Sequence, residues 1–357
     1  MPKTVNWESG SEFHWVEGET TDNEFIKCPY RLYGSGRDAL ISLLIYGIKH
    51  NNWKRIIVPY YYCSEVIYAI TQLNIKILFY NDSPIINDLL EIDKIEFIEN
   101  DILLRVNYFA LRRFRSNMRL QSKKIIVIED HTHDPWSTWA KNSDADWCFA
   151  SLRKVLPVPD GGILWSRDNN YLPSVATTTS HNISTDKKLL AMFLKKQYLE
   201  GNYSNKKLYL QMYHDGEKGI FNGIVSGISL ITEEICKKYP IMEWRQKKLN
   251  NYKYLHLNLS DVNKFQVLNP EENGIIPFSF IIFFESKEKR NYFNNCLISE
   301  NIFPAILWPT NIDSNKYKRP NNMIFEDLMI SIHCDFRYNI KDMNIMIQKI
   351  KKIGNNC

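Results

Sequence analysis

Lys154 stands in the stretch Trp147-Cys148-Phe149-Ala150-Ser151-Leu152-Arg153-Lys154, with Pro157, Pro159 and the pair Gly161-Gly162 behind it. An amine between two β-prone runs, beside an arginine and flanked by apolar residues, is placed for a lowered pKa. A lowered pKa is what an amine needs to attack a carbonyl carbon. Upstream, Val127-Ile128-Glu129-Asp130 ends a strand pattern on two acids, and His131-Thr132-His133-Asp134 follows. A carboxylate there can hold a cation or cap the next element. The His-x-His pair with its acids could instead ligate zinc or iron. No further His/Cys cluster has a supporting spacing, so we expect no catalytic metal. Nearer the N-terminus, Gly34-Ser35-Gly36-Arg37 leads into apolar positions 40, 41, 44, 45 and 48, one face of a helix. Such a turn presents free N–H groups and a positive dipole end, which suit a phosphate, although it also reads as an ordinary N-cap. It matches neither the GxGxxG nor the Walker pattern.

The elements that must position these groups alternate. Strand patterns cover 55–59, 76–80, 102–109 and 124–130, and a helix with apolar positions 66, 67, 70 and 73 follows Tyr60-Tyr61-Tyr62-Cys63. Strands alternating with helices predict an α/β layer with a mainly parallel sheet. Ligands in such sheets bind at the carboxyl ends of strands. Asp130, the turn after Pro59 and Lys154 fall at that edge. Residues 170–245 read as helical and polar, clearest at 187–198 and 227–239, with Pro240 interrupting the pattern before Trp244 and Arg245. From about 250, short strands such as 278–284 alternate with helices at 287–300 and 340–353. We expect a large α/β domain over 1–250, including an aromatic N-terminal arm, and a small α+β domain over 251–357.

The chain has 357 residues, 44% hydrophobic and 24% charged, with a net charge of +5. That charge is mild for the length and does not argue for nucleic acid. Seven cysteines without a CxxC pair argue against a disulfide framework and for a reducing cytoplasm. No apolar run approaches a membrane span, and the first residues lack a signal core.

Taken in order, Ser35-Gly36-Arg37-Asp38-Ala39-Leu40, Pro59 to Cys63, Val127 to Asp130 with His133, and Lys154 seven residues before Gly161 resemble the DegT/StrS family of sugar aminotransferases. The resemblance covers most of the chain and returns more weakly at 274–284, 306–309 and 331–343. It implies fold type I, with a seven-stranded, mainly parallel sheet, and pyridoxal 5'-phosphate as cofactor. It implies catalytic roles for Lys154, which would carry the cofactor covalently and shuttle a proton, and for Asp130, which would keep the pyridine nitrogen protonated. His133 would face the phenolic oxygen. Ser35, Gly36, Arg37 and Ser151 would hold the phosphate. Cys63 stands where the family stacks an aromatic ring, so either its thiol or Tyr62 or a neighbouring tyrosine would cover the cofactor. The Ser151–Lys154 spacing is two residues shorter than in the family, and no partner-chain asparagine motif is recognisable near 218–230. The implied reaction moves an amino group from an amino acid, expected to be glutamate, to a keto sugar, expected to be nucleotide-linked. The implied assembly is a homodimer without membrane or nucleic-acid partners. Two alternatives stay open: a pyridoxal-phosphate enzyme acting on a small phosphorylated ketone or catalysing another reaction, and a non-catalytic binding module that keeps the fold.

Overall fold

The computed structural model describes residues 6–18, 25–86, 88–221, 223–308 and 325–355. In chain order the elements begin with β1 (Ser9–Gly10), β2 (Tyr30–Tyr33), α1 (Gly36–His50), β3 (Arg55–Pro59), α2 (Ser64–Thr71) and β4 (Lys76–Tyr80). They continue with α3 (Asp88–Ile92), β5 (Ile102–Val106), α4 (Met118–Gln121), β6 (Ile126–Asp130), α5 (Thr138–Asn142), β7 (Trp147–Ser151) and β8 (Gly162–Trp165). Four helices follow: α6 (Thr179–Leu199), α7 (Lys206–Ile220), α8 (Leu230–Cys236) and α9 (Ile241–Leu259). The chain closes with β9 (Gln266–Val267), β10 (Phe280–Phe283), α10 (Lys287–Ser299), β11 (Ile302–Phe303), α11 (Phe325–Leu328), β12 (Met329–Ile332) and α12 (Ile340–Asn355).

The main sheet has seven strands in the order β2-β8-β7-β6-β5-β3-β4. Strands β4, β3, β5, β6 and β7 are parallel, and β8 runs antiparallel to both β7 and β2. The sheet is therefore mainly parallel and seven-stranded, as expected. Both of its faces are apolar. Ile128, Phe149 and Leu164 face one core with Leu40 and Leu44 of α1, while Val127, Cys148, Ala150 and Ile163 face the other with Tyr239 and Ile241. Side chains alternate with period two, so a strand buried on both faces must read as a continuous apolar run. Each fully buried Leu or Ile here contributes about 1.5–3 kcal/mol of transfer free energy.

Three boundaries differ from the sequence reading. The third strand ends at Val106 rather than 109, because Phe109 and Ala110 take φ of 53° and 54° and turn the chain. The helical stretch at 227–239 shortens to α8, and the strand at 278–284 shortens to β10. Helix α9 runs through residue 250, with Ile241 in a core of the large sheet and Tyr252, Leu255 and Leu259 in the core of the three-stranded sheet β12-β10-β9. The N-terminal arm pairs β1 in parallel with β11.

Candidate active site

Parallel strands put Pro59, Val106, Asp130 and Ser151 at one edge of the sheet, with Val106 opposite Asp130. Asp130 is fully enclosed there, 4% exposed. One of its oxygens accepts the Thr132 N–H at 2.8 Å and the other accepts the Tyr62 hydroxyl at 2.6 Å. Burial pushes its carboxyl above the ordinary value, against the pull of those two donors. Among the described residues no basic side chain lies within ion-pair distance of it. A buried carboxylate held by neutral donors alone is costly and suited to receive a cation. His133 is equally buried. Its Nδ1 accepts the Phe109 N–H at 3.0 Å, so the neutral ring carries its proton on Nε2. Burial, and then the charge of Lys154, pull His133 down to about 3, so it stays neutral near pH 7.

The tyrosine cluster divides. Tyr62 serves Asp130, Tyr61 donates to the Leu307 carbonyl at 2.8 Å, and Tyr60 stacks on Phe79. Cys63 is the N-cap residue of α2; burial raises its thiol, and Lys154 acts against that.

A run of contacts joins Asp130 to the start of α1. The Ser151 N–H donates to Thr132 Oγ1 at 3.1 Å, and a Cβ on Gly36 would meet the Ser151 nitrogen at 2.9 Å. Ser35 is extended and accepts the Asp38 N–H at 3.1 Å, the cap that fixes the first turn. A Cβ on Gly162 would fall 2.1 Å from the Ser35 carbonyl carbon, so only glycine lets β8 and α1 approach this closely. The Arg37 side chain turns away, donating to the Ile220 carbonyl at 2.8 Å and lying 4.5 Å from the Phe221 ring centroid. It can therefore serve an anion through its backbone N–H alone.

Lys154 ends a 3-10 turn after β7. Its side chain is exposed, so the enclosure expected from its apolar flanks is not met within this chain. Arg153, the expected cationic neighbour, is turned to Glu217. The Lys154 charge nevertheless reaches both Cys63 and His133. Lys154 also lines a cavity of about 380 Å³ shared with α9, the arm and residues 333–337.

The His-x-His pair does not converge. His133 packs on Phe278 and Trp308, while His131 points into the other face beside Trp139 and Trp165. Glu129, His131 and Cys148 do offer ligand atoms within 4.8 Å of one another. Glu129 is already engaged there, by His131 at 3.0 Å, Ser143 at 2.6 Å and Asn117 at 2.9 Å, with Arg105 at 3.6 Å.

Sequence reasoning missed Thr132, Phe109 and Trp308 as site residues. The Trp308 ring centroid lies 5.1–5.8 Å from those of His133, Tyr62, Tyr61 and Tyr108, in tilted or edge-on contacts. It arrives from some 175 residues away in sequence, and no local pattern announces that contact.

No family model matches the chain, and no curated protein matches it in sequence. Solved structures do match it in fold. An aminotransferase of Helicobacter pylori involved in the biosynthesis of pseudoaminic acid superposes with TM-score 0.65 at 11% identity, covering 98% of this chain and 100% of that one. A DegT/DnrJ/EryC1/StrS aminotransferase from Brucella abortus gives TM-score 0.57 at 15% identity over 92% and 87%. The GDP-4-keto-6-deoxy-D-mannose-3-dehydratase of E. coli, with hydrated pyridoxal phosphate bound, gives 0.60 at 12% over 92% and 89%. The chain therefore has the fold type I architecture of the sugar aminotransferases.

Proposed function

We propose that this chain is a pyridoxal-phosphate-dependent aminotransferase of the DegT/StrS family. It takes an amino group from an amino acid, glutamate by the resemblance, and passes it to a nucleotide-linked keto sugar for a surface polysaccharide or a secondary metabolite. The observation that carries this reading is Asp130, a buried carboxylate with two neutral donors and, among the described residues, no cation in ion-pair contact.

The residues present fit the cofactor. Asp130 keeps lone pairs for a protonated pyridine nitrogen, which supplies the missing positive charge. His133 offers Nε2–H to a phenolic oxygen. The start of α1, with Ser35, Gly36 and the Arg37 N–H, forms an anion corner against Ser151. Cys63 and Tyr62 flank the ring position. When bound, the cofactor supplies an electron sink that lets a proton leave the carbon bearing the amine. Lys154 would hold the cofactor and carry that proton. Tyr62 and Thr132 hold Asp130 in one orientation.

The dehydratase in the comparisons shares the fold, so the fold does not separate amination from dehydration. Lys154, seven residues before Gly161, favours amination. Exposure of Lys154 fits a homodimer in which a partner closes the site, and Ile224 and Leu230, 55% and 80% exposed, offer apolar surface nearby in sequence to α7. The described cysteines are all free, and no helix among the described residues is long and apolar enough to cross a membrane, which is compatible with a cytoplasmic enzyme.

Incubation with glutamate and a panel of nucleotide-linked keto sugars, read by mass spectrometry, tests the reaction. The expected result is an amino sugar together with 2-oxoglutarate. A dehydrated sugar with glutamate unchanged would move the assignment to dehydration.

A further inference from the structure

The cavity beside Lys154 carries a cation that the chemistry above does not use. Lys248 sits in the middle of α9 and lines this cavity at 8% exposure. Five lysine and arginine side chains line the space, Arg153, Lys154, Arg245, Lys248 and Arg337, with His333 beside Asp335. Three have carboxylates of their own. Arg245 grips both oxygens of Asp134, at 3.1 and 2.6 Å. Arg337 grips both oxygens of Asp335, each at 2.8 Å. Arg153 binds Glu217. The remaining acid in the wall, Glu12, is exposed at the arm. Lys248 is left over: among the described residues its ammonium makes neither an ion pair nor a hydrogen bond, although Asp134 and Asp335 are close enough to be felt.

A lysine buried this far without a carboxylate of its own is expensive, and a methionine or leucine would fill the same helix position at less cost. Around it the wall is flat and apolar: Trp244 and Phe336 stack at 3.8 Å, and Phe278 completes the surface. A cationic side chain in the wall of an otherwise aromatic cavity is how a site orients a ligand with one anionic end. We propose that Lys248 is the receptor for an anionic oxygen group of the substrate, either the carboxylate of the amino-acid donor or the phosphate of the nucleotide-linked sugar. The name of the anion rests on the aminotransferase reading; the existence of an anion site does not. Burial, and Arg245 beside it, pull the Lys248 ammonium below the ordinary lysine value, and a bound anion would reverse that pull.

Calorimetric titration of the purified, cofactor-loaded protein tests this with two probes, glutarate for the carboxylate and uridine diphosphate for the phosphate. Lys248→Met keeps the volume and removes the charge, Lys248→Gln is the second variant, and Lys247→Met on the exposed face is the control. Loss of a charge-assisted hydrogen bond predicts binding weakened about tenfold or more in both Lys248 variants, and unchanged in the control. Weakened glutarate binding assigns the donor carboxylate, weakened uridine diphosphate binding assigns the phosphate, and loss of both places them at one shared cation. Binding of both probes as tight as in the parent protein, or no binding of either probe to the parent at millimolar concentration, overturns the proposal. Cofactor attachment at Lys154 is read separately by mass. Protein that binds the probes through Lys248 but carries no cofactor would keep the anion site and lose the aminotransferase reading.

Discussion

At the scale of single residues, the account turns on Asp130. An amide at this position cannot balance a ring cation. Asp130→Asn should leave the fold intact and lower turnover by on the order of 10²-fold or more, measured in the half-reaction with glutamate. Turnover near that of the parent would show that Asp130 only caps the turn to Thr132. Tyr62→Phe removes the hydroxyl 2.6 Å from Asp130 and leaves a buried carboxylate oxygen short of a donor. The expected cost is about 1–3 kcal/mol in chemical denaturation. An unchanged midpoint would mean that another group takes over that oxygen. As candidates, Asp130 stood out at the end of an apolar run, Lys154 by its neighbours and its seven-residue spacing to Gly161, and His133 through the family resemblance. Tyr62's service to Asp130 was not legible, since three adjacent tyrosines look alike until the strand twist directs each one. Lys248 was invisible for a different reason: its burial depends on segments near 134 and 335, far from it in sequence.

At the scale of elements, the sheet edge was readable and its closest approaches were not. The runs read at 55–59 and 76–80 became strands and the run at 124–130 became β6 from Ile126, because both faces of the sheet are covered, and α1 began where Ser35 could cap it. The ends of β5 and β10 were misplaced because apolar residues continue past the last ladder hydrogen bond. Phe109 reads as strand, yet its positive φ aims its N–H at His133. The glycine pair shows what spacing alone conceals. Gly162→Ala would drive a methyl group into the Ser35 backbone, which cannot move without shifting the anion corner. We expect a loss of about 1–3 kcal/mol of stability and weaker retention of cofactor on dialysis. Parent-like stability and retention would show that α1 and β8 slide apart freely.

At the scale of the molecule, charged pairs tie the arm and the helices together. Burial would raise Glu8, but Lys195 and Lys206 hold it below its ordinary value of 4.5. Burial would likewise raise Glu217 and Asp335, but the charges of Arg153 and Lys188 hold Glu217 down, and Arg337, with a hydrogen bond from the His333 ring, holds Asp335 down. A carboxyl lowered in the folded state stabilises fully above its unfolded value, and that stability is lost as pH falls through the folded value. Unfolding free energy should therefore fall in two stages on acidification: first below about pH 6.5, where an unfolded His133 takes up a proton that the buried ring does not, and again below the ordinary carboxyl range. Glu8→Gln leaves Lys195 buried without its partner, should cost about 3 kcal/mol, and should flatten part of that acid slope. A slope identical to the parent's would detach the arm from the pH dependence. Light scattering should give a dimer. A strict monomer that turns over would remove the partner from the site and leave Lys154 and Asp130 in place.

The most direct test of the central claim is borohydride reduction of the purified protein followed by peptide mapping. The account predicts the pyridoxyl mass on the peptide containing Lys154, and its loss in Lys154→Ala. A label on Lys248 or another lysine, or no label in protein saturated with the cofactor, would contradict it.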